Sequence, residues 1–405
     1  MSLEILKNIQ LKDKNQQQSL ENAISIGSPS MKHEEWKYTY YNKIFQNPFE
    51  VNIDTKNENQ KIDAELVPLL QEEKYKLVFV DGQFIAELSY FPQSQKFSFW
   101  NNNNVTESDS KDFLLELNNA LVSDGVFVEI QDGFIEEENI GIYYIATKPN
   151  QIFNLKNKVK IGKNVQVKFS EYFINPNNIS TYYNTVSQID IDKNSIVVWD
   201  KIQDGGELYY LTDNTFVKQE KSSVFTINTI TVSGNIVRNN LVIDVNGEYA
   251  ENHMNGLYLL HGQAHCDNRT LVRHNEPNTN SNELYKGILA DHATGVFNGK
   301  IIVAQKAQKT NAFQSNRNLL LSNDANIYTK PQLEIFADDV KCSHGATSSQ
   351  IEDSELFYLQ ARGIGKEMSR SLLTLAFAGE VLDKLSDRNK QFVEDKIFTT
   401  LGINI

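Results

Sequence analysis

Residues 224–245 read VFTINTITVSGNIVRNNLVIDV, and the fold turns on how this stretch is understood. Two runs, Val224-Phe225-Thr226-Ile227 and Val242-Ile243-Asp244-Val245, carry the β-branched and aromatic residues that favour strands. Asn, Ser and Gly, the residues of turns, lie between them. The same texture extends both ways. Upstream stand Val126-Phe127-Val128-Glu129-Ile130, Ile140-Gly141-Ile142-Tyr143-Tyr144-Ile145 and Ser195-Ile196-Val197-Val198-Trp199, and downstream Lys300-Ile301-Ile302-Val303. Such segments often recur at a spacing of roughly ten residues. From about Gly125 to Gly345 no helix of ordinary length fits.

So many strands cannot share one open sheet without curling or closing. A sandwich, a propeller and a parallel β-helix all satisfy the pattern. No blade-like repeat of ~40 residues with fixed signature positions occurs. The short Asn/Gly-type gaps suit the corners of a β-helix, but periodicity alone leaves the choice open.

The flanks differ. Region 1–124 carries helical patches such as Leu3, Leu6 and Ile9, and a hairpin signal at Asp81-Gly82 between Lys76–Val80 and Gln83–Ile85. Asp112–Leu121 reads as a short amphipathic helix, and the polar stretches Asp54–Gln60 and Asn101–Asn104 read as loops. Region 346–405 switches to helix period. A short helix is expected over Ser354–Ala361, broken by Gly363 and Gly365. A longer one starts near Lys366 with Met368, Leu372, Leu375, Ala376, Gly379 and Leu382 on its inward stripe. A third spans Asp387–Leu401, with Ser386 as N-cap and Phe392, Val393, Ile397 and Leu401 inward. The expected organisation is therefore 1–124, a β core over 125–345, and a helical region over 346–405.

Composition excludes several jobs. Lys+Arg total 39 against 52 Asp+Glu, a net charge of -13, which disfavours phosphate-backbone binding and hence a nucleic-acid partner. Two cysteines, Cys266 and Cys342, cannot build a disulfide framework or a self-contained four-thiolate site. No run of ~18 apolar residues is present, and the first residues lack a signal-peptide core, so the expectation is a soluble, cytoplasmic protein without a membrane span.

Few residue groups carry chemistry. Ala293–Ile301 resembles a phosphate loop, but its glycines are misplaced and Ile301 follows Lys300, so it reads as a turn between strands. Six of the seven histidines fall between His253 and His344, which raises the metal question. The plainer reading is that these imidazoles satisfy backbone groups at β corners. On a strand His265 and Asp267 share a face. The same parity puts Cys342 and His344 on one side of an extended segment, a thiol and an imidazole suited to Zn, Cu or iron–sulfur ligation. Two ligands do not close a site, so a partner would have to supply the rest. The adjacent carboxylates Asp338-Asp339, like the pair Asp291-His292, face opposite ways on a strand and make poor hydrolytic pairs.

Several phrases, in order, resemble the SufD family of the SUF iron–sulfur cluster assembly system. They are Glu34-Glu35-Trp36-Lys37-Tyr38-Thr39, Asn255–Leu260, Leu284–Gly287, Gly295–Lys300, Ala307–Thr310, Asn318–Ser322, Thr329–Ile335, Ala337–Thr347 and Leu356–Ile364. The resemblance implies a right-handed parallel β-helix with helical flanks. It implies a non-catalytic scaffold that pairs with a SufB-type paralogue and binds a SufC-type ATPase. ATP and Mg would enter only through that ATPase, and iron or an iron–sulfur cluster would be a transient cargo. Carried onto this chain, the metal position is His344 with Cys342, shared across the SufB interface. The ATPase contact is Arg362, Gly363, Ile364, Met368, Leu372, Leu373 and Phe377. In the sister subunit a cluster-scaffold Cys precedes the strand to its His-Glu pair. Here the corresponding loop reads Gln314-Ser315-Asn316-Arg317, and Gly345 replaces the Glu. Cys266, where an aliphatic residue is expected, reads as core. Two other classes remain, a β-helix enzyme acting on polysaccharide through an Asp-, Arg- and aromatic-lined groove, and a homodimeric binding module.

Overall fold

The computed structural model describes residues 6, 9–11, 13–51, 70, 73–101 and 111–400. The expectations at Leu3, Asp54–Gln60 and Leu401 lie outside these residues. Asn101 ends a strand, Phe97–Asn101, rather than opening a loop, and the rest of that expected loop is likewise outside.

The central region is a β-solenoid of about eight turns. Each coil gives one strand to each of two parallel sheets. Sheet B runs from Ile135–Ile145 through Gln166–Ile174, Ile196–Asp204, Val224–Ser233, Glu251–Leu260, Asn280–Leu289 and Asn311–Leu320 to Lys341–Ser349. Sheet A, opposite, runs from Val126–Ile130 to Thr294–Val303, followed by Asn326–Thr329 and Gln332–Ile335. The stacking is in register. One column reads Gln166, Ile196, Val224, Glu251, Asn280, Asn311, Lys341, whose members are 30, 28, 27, 29, 31 and 30 residues apart. That is the repeat which a search near 40 residues passes over.

The corners explain the Asn/Gly-type gaps. Asn150, Asn178, Gly206, Gly262 and Asp291 adopt positive φ along one edge. Asn164, Asn194, Ser222, Tyr249, Asn278 and Lys309 do so along the other. A left-handed residue reverses the chain between sheets, and Gly, Asn and Asp tolerate it best. Asparagines also stack between coils, as Asn311 Nδ2 donates to Asn280 Oδ1 at 2.8 Å.

The lumen holds the main apolar core, including Phe169 stacked on Trp199 at 4.6 Å. It also holds charge. Lys201, 1% exposed, bonds Glu171 Oε2 at 3.0 Å and Asp213 Oδ2 at 2.6 Å. Two helical layers cover the outer faces. On sheet A lie helix α1 (Lys14–Ile26) and helix α2 (Phe113–Leu121), whose N-cap Asp112 accepts from the backbone N–H groups of Leu114 and Leu115. On sheet B lie helix α4 (Lys366–Leu382) and helix α5 (Asp387–Thr400), preceded by the short helix α3 (Asp353–Gln360).

Three expectations change here. The phosphate-loop lookalike is the interior of strand Thr294–Val303, not a turn. Gln314–Arg317 is the middle of strand Asn311–Leu320, not a loop. On α4 the buried positions are Ser369, Ser371, Thr374, Ala378, Val381 and Leu382, so of the expected stripe only Leu382 is buried. Small residues supply four of these six buried positions, whereas Leu372 and Leu375 are half-buried.

The two ends of the solenoid differ. At the N-terminal end the hairpin Tyr75–Val80/Gln83–Phe84 and the antiparallel strand Phe97–Asn101 close the lumen with Phe79, Phe84, Phe91 and Phe99 in ring contact. The Asp81-Gly82 turn has φ of 49° and 74°. At the other end nothing among the described residues pairs with the far edge of Lys341–Ser349.

Candidate functional site

The open end is built by alternation. On strand Asn311–Leu320 the residues Ala312, Gln314, Asn316 and Asn318 face the lumen and are buried, whereas Phe313 and Arg317 face out. The last strand continues those columns. Cys342 pairs with Ala312 and His344 with Gln314. Both therefore stand on the lumen side, as strand parity requires. Because no further coil follows, every residue of Lys341–Ser349 except Cys342 is exposed. Cys342 is half-buried against the lumen core, and burial raises its thiol above the ordinary range. At neutral pH it is therefore a neutral thiol, and only a metal or a cation brought from outside would make it a thiolate ligand. His344 sits at the mouth with its imidazole in solvent.

Among the described residues no group of three or more His, Cys, Asp and Glu is placed to hold a metal ion. The donor set of this chain at the mouth is thus one thiol and one imidazole, too few to hold an ion by themselves. The remaining histidines are placed otherwise. His274 is buried between Thr279 Oγ1 at 2.8 Å and Ser281 Oγ at 2.9 Å, and burial lowers it to about 4. His253 pairs with Glu251 at 2.8 Å. Their partners are side chains rather than the backbone groups expected from sequence. Cys266 is fully buried in the lumen, and burial pushes its thiol up to about 12.

Asp291 and Asp339 serve the corners, the first through its carboxylate and the second through its backbone. Asp291 Oδ2 accepts from Gly262 N at 2.9 Å, and the Asp339 carbonyl accepts from Lys309 N at 2.6 Å.

The phrase Glu34–Thr39 forms a strap across sheet A. Thr39 Oγ1 donates to Asp267 Oδ2 at 2.8 Å and accepts from His265 Nε2 at 3.0 Å, so His265 and Asp267 do share a face. Arg238 lies 3.6 Å from the Trp36 ring centroid and pairs with Asp267. A groove of about 500 Å³ runs beneath, lined by Trp36, Asp112, Arg238 and Arg269. This is the Asp-, Arg- and aromatic-lined feature a polysaccharide enzyme would need. Its charges are spent on the seam, however: Glu34 pairs with Lys330, Glu35 with Arg269, and Asp112 caps α2.

The second exposed feature is the α3–α4 corner. No residue of α3 is buried, and Phe357 and Tyr358 are 71% and 56% exposed. Arg362 lies 4.3 Å from the Tyr358 ring centroid, and Gly363 turns the chain with φ of 85°. Ile364, Met368, Leu372 and Leu373 are half-buried. Phe377 differs, since it packs toward sheet B and its carbonyl accepts from the buried Lys286 Nζ at 2.8 Å. Phe357 and Tyr358 were not among the expected contacts. Their signal was present in Leu356-Phe357-Tyr358-Leu359, an apolar run that wraps a helix on all sides and so cannot all be buried.

The solenoid of about eight turns thus has one closed end and one end whose last strand edge is unpaired among the described residues. The SUF system FeS cluster assembly, SufBD core-domain family matches residues 144–377. The chain belongs to this SufB/SufD family of iron–sulfur cluster assembly proteins. It is 30% identical over 379 residues to the iron–sulfur cluster assembly protein SufD of Escherichia coli, covering 92% of this chain and 88% of that one. It is 31% identical over 390 residues to an iron–sulfur cluster assembly SufBD family protein of Synechocystis, covering 89% and 84%.

Proposed function

We propose that this chain is a non-catalytic, cytoplasmic scaffold subunit that presents the open solenoid end to a SufB-type paralogue and the α3–α4 corner to a SufC-type ATPase. The observation that carries the reading is the last strand. An exposed edge of nine residues, Lys341–Ser349, is a template for another strand, and proteins do not leave such edges long and bare without use. Cys342 and His344 stand on that edge. They supply two donors for an iron or iron–sulfur cargo whose remaining ligands come from the partner. His344 acts as ligand or proton acceptor while the cluster forms. The exposed aromatic corner at Phe357 and Tyr358 is the second contact, and ATP is hydrolysed in the partner, not here. An exposed edge also permits self-pairing when the paralogue is missing.

Co-expression with SufB- and SufC-type partners tests the reading. His344→Ala should leave the complex assembled and cut cluster yield in an anaerobic assembly assay. Unchanged yield would remove the role of His344. Replacing Met368 and Leu372 by Glu should abolish co-purification of the ATPase while leaving the thermal transition of the isolated chain in place. Full retention of the ATPase would put its contact elsewhere. Point changes serve better than truncation after Gly365, because α4 and α5 cover sheet B and their loss would strip that face.

A further inference from the structure

The inward column that ends at His344 begins deep in the lumen. Met254, Glu283, Gln314 and His344 stand in register, one per coil. Glu283 Oε1 accepts from Thr270 Oγ1 at 2.5 Å, and its Oε2 accepts from Gln314 Nε2 at 2.7 Å. Gln314 is 3% exposed, yet its Oε1 has no hydrogen-bond partner among the described residues. A buried carbonyl oxygen left unpaired is costly, so this one asks for a donor. The space for the amide is built in. A Cβ on Gly299, across the lumen, would stand 2.2 Å from Gln314 Nε2.

The orientation of the amide follows from its neighbour. In its ionised form Glu283 accepts at both oxygens, so Gln314 then offers it the NH2 group. With the nitrogen committed to the preceding coil, the oxygen is left for the following one. Parallel neighbours lie ~4.8 Å apart and project to the same face. The next side chain along the column is His344.

We propose that Gln314, oriented by Glu283, is the positioning residue of His344: its carbonyl oxygen accepts the ring N–H of His344 and leaves the other ring nitrogen unprotonated and directed out of the solenoid mouth. A histidine that ligates a metal or takes a proton needs one nitrogen free, and an acceptor on the other nitrogen fixes which. The proposal rests on the role given to His344 above, but the column belongs to this chain alone and is testable without any partner.

The test is NMR of the full chain with isotope-labelled histidine, in which His344→Gln assigns the signal. The wild type should show one dominant His344 tautomer. Gln314→Met keeps length and removes the acceptor, and should give a mixture like that of free imidazole. Glu283→Gln removes the carboxylate that orients the amide and should move the ratio the same way. Circular dichroism and thermal unfolding confirm that each variant is folded. In the anaerobic assay with both partners, Gln314→Met should slow cluster formation about tenfold with the complex intact. A tautomer ratio equal in wild type and Gln314→Met overturns the proposal, whatever His344→Ala does. Conversely, a shifted ratio with full cluster yield in His344→Ala would keep the positioning and discard the role of His344.

Discussion

Lys201 illustrates what the lumen asks of single residues. Its ammonium lies between Glu171 and Asp213 with Trp199 Nε1 also donating to Glu171 at 3.1 Å. Removing one member of a buried ion group strands the others, whereas replacing all by well-packed apolar residues is often neutral. Lys201→Met should therefore destabilise the fold by about 3–5 kcal/mol, read by denaturant unfolding. A loss below ~1 kcal/mol would mean that the carboxylates find water or each other. None of this was legible in the sequence, because a Lys within a strand is ordinarily an outward residue. The Cys342/His344 pair was legible in its parity, since alternation needs only local geometry. Its exposure was not, because exposure depends on there being no ninth coil, a long-range fact.

At the scale of elements, the strands were read from their β-branched and aromatic content, and each expected run overlaps a strand, with Ser195 and Ile85 just outside. The repeat of 27 to 31 residues was hidden because its fixed feature is a backbone conformation, not a residue type. Asn, Ser, Tyr and Lys all occupy the same kind of left-handed corner. The inward face of α4 was misread for a related reason. Apolar bulk marks a stripe, but the buried positions include the small residues Ser371, Thr374 and Ala378. The last strand offers a direct test of edge pairing. Lys341 N donates to Thr310 O, so odd-numbered amides point back into the solenoid and even-numbered ones point to the open edge. Ala346→Pro removes an edge-facing N–H and spares the internal ladder. The isolated chain should stay folded by circular dichroism while co-purification of the SufB-type partner falls. Undiminished pairing would show that the partner does not extend sheet B.

Across the whole molecule, two buried groups tilt stability against pH in opposite senses. Burial raises Glu283 from 4.5 to about 7. The folded chain then holds a proton that the unfolded chain has lost, so stability falls as pH rises from about 4.5 through 7. His274 goes from 6.5 down to about 4. The unfolded chain binds that proton more readily, so stability is lost as pH falls from about 6.5 toward 4. Glu283→Gln should flatten the alkaline limb by at most about 3 kcal/mol, seen by comparing unfolding near pH 5 and near pH 8. An unchanged slope would mean that the carboxyl is hydrated in solution.

The helical layer on sheet B has a mechanical consequence. Stacked coils touch only their neighbours and tend to fray one at a time from a free end. Here Asn389 reaches Ser170 and Asp200, the Lys384 carbonyl takes Asn228, and Phe377 and Glu380 take Lys286. Arg370 reaches the Leu321 carbonyl. The two consecutive helices α4 and α5 are thus bolted across most of the stack like a splint, which ends beside the coil that carries the bare edge. A pull on the splint is felt by many coils together, so the chain should melt in a single transition and the open mouth should stay shaped while it waits for its partner.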